Sequence, residues 1–439
     1  MNDDKAVGFF KLKGNLEPNQ PLDPDESALY VDTTEARGAF SFRDLYQTLG
    51  VNPNTMQLME AVDRQYLLFT GHIGCGKSTE LRRLRQVLHH PDAFYVILLD
   101  ARNELDPNNL HYVDLLLACA KRLCAALEKE GLAVDALHLE RLHHWFQQHV
   151  ITRMEDKSLS TELHTEANAG LTLPFIGALL AKLNNAFKYN ASYKDELRHV
   201  VRNSFSEFAA SFNVLIAEAT RLLQEQQRAH GLLFIIDGTD KLNNTDTHRF
   251  FIEDVHQLQQ IRAHFIYGTP IHILFESNAL QQQYSGLYRL PMIKLYNRDG
   301  SFSDNTARDT LRQMVLRRVP ESWFDSMETV DYLIDHCGGH PRELVRLLGL
   351  TWQKCRNYQL DRPAAERAVA SMASDLRRIL EAKDYALIRL IDNGQEEQAE
   401  RSELTKLFKV LALLEYNEHW WRSHPIVRTL PGYSAHGTS

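Results

Sequence analysis

The run Gly71-His-Ile-Gly74-Cys-Gly76-Lys77-Ser78 spells G-x-x-x-x-G-K-S/T in full, with Thr79 directly behind it. Glycines at these spacings let successive backbone N–H groups turn inward around an anion. A helix opening at Ser78 adds the partial positive charge of its N-terminus. Lys77 is placed to reach β- and γ-phosphate oxygens, and the Ser78 hydroxyl to enter the shell of a Mg²⁺ ion. That is chemistry for holding a nucleoside triphosphate such as ATP.

A second set of residues supplies carboxylates. The apolar run Ile235-Ile236 ends in Asp237-Gly238-Thr239-Asp240. An acid at the carboxyl end of a strand suits a Walker B position, so Asp237 and Ser78 are the expected metal partners. Many ATPases place Glu directly after that Asp to activate water. Here Gly238 stands there, Asp240 is the next acid, and slow hydrolysis is expected. Lys77, Asp237 and Asp240 form the expected catalytic set. Asn278, after a further apolar run, is placed to meet the γ-phosphate or the attacking water. Gly338-Gly339-His340-Pro341-Arg342 starts a helix, with Pro341 suited to its first turn and Arg342 directed at the nucleotide.

These groups need elements to hold them. Five apolar, β-rich runs at 66–70, 94–100, 232–237, 271–276 and 292–296 alternate with helical stretches, which predicts a parallel sheet covered on both faces. Spacing of three and four predicts one long amphipathic helix over 195–224. The expected order is an extended, polar lead-in at 1–42 and a core at 43–300, split by a helical insertion at about 101–190. A helical lid at 301–380 and two helices with a β-hairpin at 381–439 follow.

Composition bounds the rest. The 439 residues are 44% apolar and 24% charged, as in a globular protein, and the net charge of −8 argues against coating nucleic acid by bulk electrostatics. Five scattered cysteines without a C-x-x-C pair fit a reducing cytosol, and no secretory leader is visible at Met1, so a cytoplasmic location is expected. The most membrane-like run, 170–183, has 14 residues and an internal Pro, short of the roughly 20 a span needs; it reads as a buried helical hairpin. His138, Glu140, His143, His144 and His149 crowd one helical stretch without the spacing of a metalloprotease helix.

Together these motifs resemble the ASCE branch of P-loop NTPases, and more narrowly the AAA+ and STAND groups. The D-G-x-D ending at Asp237 to Asp240 is similar to the box of NACHT-type ATPases, although Lys241 stands where that box usually has Glu. Gly339-His340-Pro341 resembles the G-x-P motif of STAND proteins, and Arg342 the sensor-2 arginine of origin-recognition-type AAA+ ATPases. Arg422-Ser-His424-Pro425 resembles the winged-helix motif whose His reaches the β-phosphate of ADP.

The resemblance spans roughly 40–100 and 230–430. It implies a P-loop α/β core with strand order 5-1-4-3-2, a lid and a C-terminal winged helix. It implies ATP/ADP and Mg²⁺ as ligands. Gly71, Gly74, Gly76, Lys77, Ser78, Thr79, Asn278, Pro341, Arg342 and His424 would contact the nucleotide. The implied function is a nucleotide-controlled switch in sensing or signalling, including bacterial antiviral defence. Its partner would be another protein or a second copy met through the insertion.

A DNA-loading ATPase is the alternative. From Tyr385 onward six Lys or Arg face seven Asp or Glu, a net of −1, and the second helix offers only Lys406 and Lys409, a poor phosphate footprint. Arg289, Arg317 and Arg318 stand as open candidates for an arginine finger.

Overall fold

Five short strands carry the core: β1 (Tyr66–Gly71), β2 (Phe94–Asp100), β3 (Gly231–Asp237), β4 (His264–Pro270) and β5 (Gly286–Arg289). They form one sheet in the order β2-β3-β4-β1-β5, with every neighbouring pair parallel. This is the expected 5-1-4-3-2 order, and the chain is an α/β protein of P-loop ASCE topology. The computed structural model describes residues 2–434 apart from 25–26, 39, 60–61, 107–108, 152–171, 190, 243, 276–279, 302, 304, 396, 398 and 418–419.

Side chains alternate across a strand, and here the alternation divides the protein into two cores. Tyr66, Leu68, Ile97, Phe234, Phe265 and Tyr267 point to one face, packed by the helices between β2 and β3. Leu67, Phe69, Val96, Leu233, Ile235 and Ile266 point to the other, packed by the helix Lys77–Leu88, the N-terminal segment and the helices after β5. Strands buried on both faces are continuously apolar, which is why β1, β2 and β3 stand out in the sequence as unbroken runs. The register pairs Asp100 with Asp237 and Thr70 with Thr269, so the carboxyl ends of β1 to β4 share one rim.

Two expected strands lie elsewhere. The apolar run at 271–276 is a 3₁₀ turn over Ile271–Phe275 that follows β4. Its residues are apolar because they meet the C-terminal unit: Ile271 sits in that unit's core, and Phe275 packs on Phe408 and Trp421. The run at 292–296 follows β5 and hydrogen-bonds outside the sheet, with Met292 N on Glu415 O (2.8 Å), Ile293 N on Gly339 O (3.1 Å) and Lys294 N on Ala36 O (2.7 Å). The long helix expected over 195–224 is two, Ala191–Asn203 and Phe205–Glu225. At the break, the Trp145 indole donates to the Ser204 carbonyl and hydroxyl, sharing a carbonyl that also accepts from Glu207 N and Phe208 N at 3.1 Å each.

The segment read as an extended lead-in starts with a helix, Asn2–Lys11. Its Phe9 is buried among Trp323, Trp352 and Tyr358. In the run at 170–183, the described residues begin one helix, Leu173–Tyr189, rather than a hairpin. Its buried Ile176, Leu179, Leu180 and Leu183 join the core of the β2–β3 helices. Among the described residues no helix is long and apolar enough to cross a membrane.

After β5 come four helices, Asn305–Leu316, Met327–Cys337, Pro341–Lys354 and Arg362–Ile379. The C-terminal unit has helices Ala382–Asp392 and Arg401–Lys409, then an antiparallel hairpin of β6 (Leu413–Asn417) and β7 (Trp420–Ser423). Gly338 and Gly339 turn the chain between the second and third of the four helices after β5, both left-handed. A Cβ on Gly339 would stand 1.9 Å from Ile293 O. Gly339→Ala is expected to cost about 3 kcal/mol, strain plus a clash with the backbone at Ile293. A urea midpoint equal to wild type would contradict this.

Candidate functional site

The loop leaves β1 at Gly71 and enters its helix through Gly76, which is left-handed at φ 111 and provides no side-chain cap. The first N–H groups of the helix are therefore left for an anion. Gly74, also left-handed at φ 89, is needed for closeness: a Cβ there would meet His340 Cε1 at 2.7 Å and Arg342 Cβ at 2.8 Å.

Lys77 is 4% exposed. Its ammonium donates to Gly71 O (2.7 Å) and His72 O (2.9 Å) and pairs with Asp240 Oδ2 at 2.9 Å. Burial alone lowers its pKa, but Asp240, Cys75 and Asp237 outweigh that and raise it, so the charge is secure. Asp237 is raised, first by burial and then by the nearby Asp240 carboxylate. Ser78 Oγ donates to Asp237 Oδ1 at 2.9 Å, which opposes that rise. A hydroxyl and a carboxylate at this separation are hard oxygen donors, one of them anionic, and they fit Mg²⁺.

A cleft opens over the loop. Of the residues expected from sequence, Gly74, Gly76, Lys77, Ser78, Thr79, Asp240, Pro341 and Arg342 line it. Asp237 joins through Ser78, and Gly71 through its carbonyl on Lys77. His424 is 1% exposed and does not line the cleft. Its Nδ1 accepts from Ile426 N at 3.2 Å, capping the short helix Pro425–Arg428, and its ring lies against Gly338. Asn278 and Ser277 lie outside the described residues.

The structure adds groups that the motifs did not announce. Arg37 is 1% exposed and anchors the loop from the N-terminal segment, donating to Cys75 O (2.8 Å), Thr33 Oγ1 (3.0 Å) and Pro291 O. Arg102, just after β2, lines the cleft beside Asp240. Residues 17–22 and 29–31 also line it, and Leu22 N donates to Thr79 Oγ1 at 3.3 Å. Of the arginines considered as fingers, Arg318 is buried and donates to Leu29 O, Arg317 donates to Tyr30 O, and Arg289 lies 3.8 Å from Glu415.

Three consecutive loop residues are tied to other units. The ring of His72 accepts from Glu415 N of β6 at 3.0 Å and stacks on Phe408, centroids 5.1 Å apart. Ile73 O accepts from His340 Nε2 at 3.0 Å, and Gly74 O from Arg342 N at 3.4 Å. Both imidazoles are neutral: burial, then Lys77, pushes His72 down to about 3, and burial, then His72, pushes His340 well below its usual value. His72 lies inside the motif at an unrestricted position, so only its type hinted at this.

No protein-family model matches the chain, and no curated protein matches it. Solved structures resemble it over most of its length. A Walker-type ATPase of Pyrococcus abyssi is 14% identical, with a TM-score of 0.45 across 94% of this chain and 99% of that one. The RuvB Holliday junction branch migration motor of Thermotoga maritima is 11% identical, with a TM-score of 0.35 across 94% and 97%. Cdc6p of Pyrobaculum aerophilum is 11% identical, with a TM-score of 0.33 across 92% and 98%.

Proposed function

We propose that the chain is an ATPase of AAA+/STAND type that works as an ATP/ADP-controlled switch, with slow Mg²⁺-dependent hydrolysis. One observation carries this reading: the loop that would hold the phosphates is hydrogen-bonded, residue by residue, to the lid and to the C-terminal hairpin. A change in phosphate content at the loop is thereby felt by both units at once.

In this reading, phosphate oxygens take Lys77 in exchange for Asp240. Asp240 is then free to orient a water against the γ-phosphate. Ser78 and Asp237 hold Mg²⁺, which, when bound, neutralises charge on the β- and γ-phosphates. Arg342 enters from the lid. Contact between His424 and the β-phosphate of ADP requires the hairpin to shift toward the cleft; its buried Nε2, without a hydrogen-bond partner among the described residues, is the group that would donate. A clean change from one state to the other needs about 5.5 kcal/mol of differential nucleotide binding, so several of these contacts must change together.

The C-terminal helices and hairpin act as a winged helix that reads the nucleotide state rather than DNA, consistent with their net charge of −1 from Tyr385 onward. The helices between β2 and β3 are the surface proposed for a protein partner or a second copy, and the protein is proposed to work in the cytoplasm, in signalling or antiviral defence. The test is to purify the chain without added nucleotide, denature it and identify what is released. Retained ADP is expected. An empty site with DNA-stimulated hydrolysis would favour the loader reading instead.

A further inference from the structure

Gly238, next to the Walker B acid, is left-handed at φ 88. A Cβ there would meet Arg102 Cγ at 2.9 Å, Asp100 Oδ1 at 3.2 Å and Arg102 N at 3.3 Å. The volume that a glutamate following the aspartate would occupy is therefore filled by an arginine stem from the end of β2. Asp100 orients that arginine, taking Nε on Oδ1 at 3.1 Å and NH2 on Oδ2 at 3.0 Å. NH2 also lies 3.9 Å from Asp237 Oδ2. NH1 has no hydrogen-bond partner among the described residues, and the side chain lines the cleft with Lys77 and Asp240. A guanidinium held by two bonds, with one nitrogen spare and open to a phosphate cradle, is preorganised for an anion.

We propose that Arg102 is a catalytic residue that binds the γ-phosphate from within the same chain. This rests on the nucleotide reading above. In the step it assists, the oxygen of water bonds to the γ-phosphorus. The bond from that phosphorus to the bridging oxygen breaks, its electron pair leaving with ADP. The proton of the water passes to Asp240 and then to the released phosphate. Charge grows on the equatorial and bridging oxygens during this exchange, and a fixed cation beside them lowers the barrier. Hydrolysis would then depend on this charge stabilisation, with Asp240 taking the water's proton where the glutamate is missing. A group that touches only the γ-phosphate also separates triphosphate from diphosphate binding.

The experiment uses the full chain, wild type and Arg102→Ala. It measures titration calorimetry with AMP-PNP and with ADP, and single-turnover phosphate release from ATP. The expected result is an AMP-PNP affinity lowered about 10-fold, ADP affinity changed less than about 2-fold, and phosphate release slowed about 100-fold. Wild-type hydrolysis in the variant, or an equal loss of both nucleotides, overturns the role of Arg102 alone. A wild-type chain that binds neither nucleotide overturns the nucleotide reading and this role with it. Should Arg102→Ala not fold, Arg102→Lys decides the matter, keeping stem and charge but not the fork. Phosphate release slowed about 10-fold with ADP affinity unchanged supports the proposal; an unchanged rate overturns it.

Discussion

Replacing Lys77 with Ala is expected to abolish ATP and ADP binding and to destabilise the protein even without nucleotide. The first effect removes the stabilisation that a ligand gives, about 4 kcal/mol at a thousandfold excess over the dissociation constant. The second follows from the ion pair. Asp240 is 6% exposed and Asp237 3%, and Lys77 is the cation that neutralises the former at 2.9 Å. Losing one partner of a buried pair leaves an uncompensated charge, at a cost of about 3–5 kcal/mol.

Burial, and then the neighbouring Asp240 carboxylate, already raise Asp237, so in the variant Asp237 should take up a proton more readily than in the wild type. A group raised in the fold binds more protons folded than unfolded, and its penalty therefore shrinks as pH falls. Relative to wild type, the variant should recover stability as pH falls from neutral toward the ordinary carboxylate range. Thermal melts with and without ATP across that range test both parts. A variant that melts like wild type and still shifts with ATP would remove Lys77 from the site.

The phosphate loop was legible because its chemistry is local. Three glycines, a lysine and a hydroxyl do their work within eight consecutive residues, between a strand and a helix that both announce themselves. The fourth and fifth strands were harder to read. β4 begins with a histidine and contains Gly268 and Pro270, while β5 is the four-residue GLYR, so neither forms a strong apolar run. The stronger runs just downstream are apolar for another reason: they meet the helices after β5 and the C-terminal hairpin. Periodicity reports burial and not what does the burying. Arg37 and Arg102 were invisible for a related reason. Each is a single residue brought to the loop by a different segment, and no spacing within the sequence encodes that meeting. His424 carried a recognisable motif, yet its place beside Gly338 depends on how the hairpin docks.

Acidification should undock the C-terminal hairpin before it unfolds the sheet. Burial, helped by Lys77 for His72 and by Arg428 for His424, pushes both imidazoles down to about 3. A base lowered in the fold binds more protons unfolded, so its contribution is complete above the unfolded value near 6.5 and is lost progressively as pH falls toward 3. Between pH 7 and pH 5 each histidine costs about 2 kcal/mol, together about 4 kcal/mol, a large part of the stability of an ordinary domain.

The loss should fall first on the contact between loop and hairpin. His72 Nε2 can accept from Glu415 N only while unprotonated, and Phe408, on which the ring stacks, also packs against Trp421. Indole fluorescence from Trp420 and Trp421 should therefore change between pH 6.5 and 5, ahead of the loss of far-ultraviolet helical signal. His72→Gln keeps an acceptor for Glu415 N without a titrating ring, and it should remove about 2 kcal/mol of the pH dependence in that window. Fluorescence and melting temperature that stay flat from pH 7 to pH 5 in the wild type would mean that these histidines do not hold the hairpin on the loop.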